Sequence, residues 1–91
     1  MVVVGGFGEE REVTAEVRAL VLALKTDIES VVGEALADFE PIVFASQVVA
    51  GTNYAIKVRV GQGRIVEARV FKPLPHTKEG PRLIKASLVE E

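Results

Sequence analysis

Gln47-Val48-Val49-Ala50-Gly51-Thr52-Asn53-Tyr54 joins two apolar runs through a turn of small, uncharged residues. Upstream, Ile42, Phe44, Val48 and Ala50 alternate with Val43, Ala45, Gln47 and Val49, so that run is apolar on much of both faces. Downstream, Tyr54, Ile56, Val58 and Val60 alternate with Asn53, Lys57 and Arg59, the period-two pattern of a half-buried strand. The stretch therefore reads as a β-hairpin. By spacing alone its valines could equally be core residues.

Working outward, Gly61-Gln62-Gly63 is a turn, and Val66, Ala68 and Val70 alternate with Glu67 and Arg69 in a further strand. Pro73-Leu74-Pro75-His76 cannot continue a central strand, because two prolines remove ladder donors. After Gly80-Pro81, Ile84, Ala86 and Leu88 alternate with Lys85 and Ser87 in a last strand. Toward the N-terminus, a helix is expected to start near Thr14, whose hydroxyl can accept from a first-turn N–H. Val17, Leu20, Val21, Leu24, Ile28, Val31, Val32 and Ala35 follow at spacings of three and four. They fall in a stripe roughly 120° wide, broken only by Leu22 on the polar side. Gly33 falls on the outer face of this helix, which fades around Leu36 to Asp38 before Pro41. Glu9-Glu10-Arg11-Glu12 reads as a charged connector, and Val2-Val3-Val4 before it as a short extended segment. Phe7, Phe39, Phe44 and Phe71 are read as core. The expected architecture is α+β, one long N-terminal helix packed across an antiparallel meander of four to five strands.

A chain of 91 residues makes one domain, residues 1–91, and 48% hydrophobic with 26% charged is a folding composition. The net charge of −2 comes with no basic stripe, so nucleic acid is not an expected partner. The absence of cysteine removes disulfides, thiol catalysis and thiolate metal sites, and suits a reducing compartment. Charges interrupt every apolar run well short of the ~18–20 residues a membrane span needs. Val2-Val3-Val4 is too short for a signal-peptide core, so the cytoplasm is the expected location.

Catalysis finds no support. The single histidine, His76, sits on a proline-flanked loop, and no serine has a glycine-flanked elbow. No His/Asp/Glu set has metal-ligand spacing, and neither glycine-rich stretch is a phosphate loop. No catalytic residue, metal or cofactor is expected. What remains is a binding surface made of three apolar, loop-placed stretches: Val2–Gly6, Val48–Gly51 and Leu74-Pro75-His76. Alternate hairpins of a meander emerge at one end of the sheet, and the first segment can reach that end too.

Together, Gln47–Tyr54, Ile56-Lys57-Val58, Val70-Phe71-Lys72-Pro73-Leu74-Pro75-His76 and Gly5-Gly6 resemble the cystatins, and the stefin branch most of all. The similarity spans nearly the whole chain. It implies a cystatin-like fold and reversible, competitive inhibition of papain-like cysteine proteases. In that family's terms Val3 and Val4 would enter non-primed pockets, with Gly5 passing the catalytic cysteine and Gly6 beside it in the protease-binding trunk. Val48, Val49, Ala50 and Gly51 would fill the primed side, with Gln47 among the protease-binding residues and Leu74, Pro75 and His76 adding the flanking contact. Lys85-Ala86-Ser87-Leu88 and an end at Glu91 depart from the usual longer stefin tail with its tyrosine-containing strand. Such divergence around intact loops would also fit an engineered or consensus-derived member. The resemblance further implies a monomer when active and a domain-swapped dimer through the Gln47–Gly51 hinge. The alternative is a non-inhibitory protein-binding module, natural or an engineered scaffold, on the same fold.

Overall fold

A computed structural model describes residues 7–90. Its elements are β1 (Arg11–Glu12), α1 (Ala15–Ala23), α2 (Lys25–Val32), β2 (Glu40–Val49), β3 (Gly51–Arg59), β4 (Arg64–Lys72) and β5 (Arg82–Glu90). The five strands form one sheet in chain order, and every neighbouring pair is antiparallel. Short connections leave a meander no other arrangement. The expected α+β architecture is what forms.

Thr14 caps α1 as its sequence context predicts, its Oγ1 accepting from the Val17 N–H at 3.2 Å. The one long helix of the sequence reading becomes two segments that meet at Leu24. There the N–H bonds three residues back, to the Val21 carbonyl at 3.1 Å, and the ladder resumes with Ile28 N–H to Leu24 O at 2.9 Å. Leu24 stays buried, so the apolar stripe runs on through the break. No proline or glycine marks this position.

The helix also ends sooner than periodicity suggested. Gly33 takes φ +84° and its N–H bonds the Glu29 carbonyl at 2.8 Å, which makes it the terminator rather than an interior residue. Val31, still within α2, is 56% exposed and so lies off the buried stripe, and Ala35 beyond the helix end is exposed as well. Leu36 turns back into the core instead, its N–H held by Glu29 Oε2 at 2.7 Å.

The core joins Val17, Leu20, Val21, Leu24, Ile28 and Leu36 to one face of the sheet, where Phe44, Ile56, Val58, Val66, Ala68 and Val70 point. α1 approaches β2 and α2 approaches β5, so the helical pair crosses the sheet from one edge to the other. Two strands slip in register. The slip opposite Arg69 and Val70 leaves Ile84 without a partner, so Leu83 packs inward and Ile84 is 56% exposed. That corrects the expected alternation at Ile84, while Ala86 and Leu88 do pack against the core.

The aromatic residues divide. Phe44 is core and Phe39 packs against it, but Phe7 and Phe71 are half-buried and lie apart from that cluster. Phe71 follows buried Val70 on β4 and so points to the face away from the helices. The first strand was also expected elsewhere. It forms at Arg11–Glu12, inside the supposed connector, and pairs with Phe44 and Val43, with the Arg11 guanidinium lying over the Phe44 ring and donating to Ser46 Oγ at 3.0 Å. Val2-Val3-Val4 lie outside the described residues.

Ile28, wholly buried, and Leu22, exposed, should respond oppositely to substitution. Ile28→Ala is expected to cost about 2–5 kcal/mol, and Leu22→Lys less than about 0.5 kcal/mol, read from urea denaturation midpoints.

Candidate functional site

The β2–β3 hairpin closes very tightly. Gln47 pairs Asn53, Val48 pairs Thr52 and Val49 pairs Gly51, leaving Ala50 at the apex. The Asn53 side-chain amide donates to Gln47 Oε1 at 3.0 Å, which fastens the hairpin just below its tip. Val48 is 82% exposed and Val49 46%, and Ala50 is exposed beside them. The valines therefore form a bare apolar tip, and the core alternative for them is excluded.

Gly51 explains why the tip is held. It is buried with φ +125°, a conformation that side-chain-bearing residues rarely adopt. A Cβ placed there would lie 2.7 Å from the Lys72 carbonyl oxygen and 2.8 Å from the Phe71 ring. The returning strand thus sits directly against the end of β4, an arrangement extended by the Thr52–Lys72 pairing.

From Lys72 the chain passes buried Pro73 into the second loop, where Leu74 is 40% exposed and Pro75 and His76 are exposed. A single 3₁₀ turn at Pro75–Thr77 fixes this loop. The Thr77 N–H and Oγ1–H both donate to the Leu74 carbonyl, at 3.1 and 2.8 Å, and the Lys78 N–H donates to Pro75 O at 3.2 Å. Gln47–Gly51 and Leu74–His76 accordingly emerge at the same end of the sheet.

The described N-terminal segment runs toward that end. Antiparallel pairing of Arg11 with Phe44 continues as a hydrogen bond from the Gly8 N–H to the Ser46 carbonyl at 3.0 Å. Moving back toward residue 7 therefore moves toward the hairpin tip. Val3, Val4, Gly5 and Gly6 lie outside the described residues.

The electrostatics near the loops are sparse. Lys72 Nζ meets Glu16 Oε2 at 2.8 Å, tying the start of α1 to the end of β4. The hydrogen bond and charge of Lys72 lower the Glu16 carboxyl, and the same contact raises the Lys72 amine. This contact and the Phe71 seat of Gly51 were not found by sequence reasoning. A glycine inside a strand pattern can signal close backbone approach, but nothing in the chain says which backbone Gly51 approaches. Among the described residues no group of His, Asp or Glu could hold a metal ion. The edge offers contact area and shape rather than chemistry.

Comparison with known proteins agrees with this geometry. The cystatin domain family matches residues 29–89. The chain is a cystatin of the stefin type. It is 42% identical over 80 residues to leukocyte cysteine proteinase inhibitor 1 of Sus scrofa, covering 88% of this chain and 78% of that protein. Stefin-C of Bos taurus is 42% identical over 72 residues, covering 79% and 71%. Cystatin-A of Homo sapiens is 39% identical over 75 residues, covering 82% and 76%. Within this stefin no described helix is long and apolar enough to cross a membrane.

The seat of Gly51 predicts a local sensitivity. Gly51→Ala should lower stability by about 1–3 kcal/mol in urea denaturation, because both its backbone and its surroundings refuse a side chain. Gly80→Ala, where a Cβ meets nothing within 4 Å, should stay within about 0.5 kcal/mol.

Proposed function

We propose that residues 1–91 act as a single domain that reversibly and competitively inhibits papain-like cysteine proteases in the cytoplasm. The protein performs no catalysis. Its loops enter another protein's cleft, and the protease supplies the groove. The observation that carries this reading is a bare valine tip, Val48 at 82% exposure, on a hairpin whose return strand is locked at Gly51. The relatives support the same class of activity, one being named a cysteine proteinase inhibitor.

The physics of such a wedge is favourable. Each fully buried valine or leucine side chain contributes about 1.5–3 kcal/mol, and Val48, Val49 and Leu74 all have area left to bury. A hairpin fixed before binding loses little conformational freedom on docking. Val3 and Val4 take the non-primed pockets in this reading, with Gly5 and Gly6 letting the backbone pass the nucleophile without a side chain. Val48, Val49, Ala50 and Gly51 occupy the primed side. Gln47 serves from behind, holding Asn53. Leu74, Pro75 and His76 complete the contact.

Titration of papain with the purified chain tests the reading. Sub-micromolar competitive inhibition is expected, with Val48→Asp weakening it at least about tenfold by placing a charge in a desolvated contact. No inhibition at tens of micromolar would favour a non-inhibitory binding module on the same fold.

The active form is the monomer. A hairpin closed by Ala50 alone, between long paired strands, can open into a continuous strand and exchange between copies. The exchanged dimer loses the wedge, so separated dimer should fail to inhibit while monomer inhibits. Equal activity of the two fractions would contradict this.

A further inference from the structure

The face of the sheet away from the helices is not bare. Ala45 and Ala55 stand opposite one another on β2 and β3, and their small side chains leave a cavity of about 210 Å³. Phe7, Glu10, Lys57 and Arg69 wall it. A second cavity of about 260 Å³, toward Gln47, Asn53 and Ile84, shares Phe7 and Arg69 as walls. Phe7 is therefore the partition between two hollows on the outer face. Its ring lies 4.8 Å from the Arg69 guanidinium carbon, in cation–π geometry.

Arg69 belongs to β4, whereas the chain carrying Phe7 enters along β2, where the Gly8 N–H meets Ser46 O. The contact consequently reaches across β3. Behind it, Glu10 Oε2 pairs with Lys57 Nζ at 2.8 Å, a contact that raises the lysine amine. Phe7 is also the sole residue from Gly5 to Gly8 with a side chain, being flanked by Gly5, Gly6 and Gly8. Glycine backbone is the most costly to order, so beyond the Gly8 hydrogen bond to Ser46 only the Phe7 side chain can fix this stretch.

We propose that Phe7, clasped by Arg69 over the sheet's outer face, is a positioning residue for inhibition, fixing the point on the sheet to which Val3 and Val4 are tethered. This rests on the inhibitory reading above. The clasp touches no protease. It acts through Val3 and Val4, whose point of attachment it fixes before binding.

The test is a set of papain dissociation constants for the full chain. Phe7→Ala and Arg69→Ala should each weaken inhibition, Arg69→Ala by about two- to fivefold for one exposed cation–π contact. The double variant should be no weaker than Phe7→Ala alone, and Phe7→Trp should retain full inhibition. In a Val3→Ala/Val4→Ala background both effects should vanish, because the anchored segment then has little left to contribute. Inhibition unchanged by Phe7→Ala and Arg69→Ala would overturn the proposal. So would effects that persist undiminished in the Val3/Val4 background, since those would belong to the sheet itself. Failure of the unsubstituted chain to inhibit papain would instead remove the inhibitory reading beneath it.

Discussion

At Gly51 the backbone of β3 passes so close to the Lys72 carbonyl and the Phe71 ring that no side chain fits between them. Much of the edge proposed to bind the protease depends on this approach. It brings the apex of one hairpin and the start of the other loop onto a shared foundation. Lys72 then leads through Pro73 into Leu74, so a displacement at Gly51 would be felt at both tips. Lys72 is itself tied to α1 through Glu16, which links the edge to the helical layer. The contact is exposed and worth little as an isolated pair, but it joins parts of the chain 56 residues apart.

The two faces of the sheet answer different needs. One face is sealed by the helices over a continuous core and supplies the stability. The other carries alanine, charge and cover from the N-terminal segment, with Phe7 and Phe71 supplying apolar area where Ala45, Ala55 and Gly51 leave hollows. Hydrophobic residues at the edge are thus free of any structural duty. Val48 and Val49 can stay in water because nothing in the core requires them.

Much of this was legible in the sequence, and the exceptions have physical causes. Thr14 announces the helix start, the alternations around Ile56 and Val66 announce central strands, and short turns announce the meander. The break at Leu24 escaped because a stripe stays in phase through one tightened turn. Gly33 was assigned an angle on a helical wheel, yet its freedom at positive φ makes it a terminator. Ile84 was misplaced because the extra residue shifts the alternation on the N-terminal side of the bulge, and a bulge leaves no compositional mark. Arg11–Glu12 is too short a strand to show a period at all. Of the candidate site, both loops were visible as small apolar tips between prolines and glycines. Their common foundation on Phe71 and Lys72 was not, because it is a contact between distant segments that only the folded backbone creates.

In the proposed complex, two neighbouring tips at one end of the sheet make the contact with the protease. Backbone amide chemical-shift mapping of the labelled chain with active-site-blocked papain addresses it directly. Perturbations concentrated at Val48–Gly51 and at Leu74 and His76 are expected. Perturbations centred on the exposed helix residues Leu22 and Val31, or along β5 at Ile84, with both loops unaffected, would contradict it.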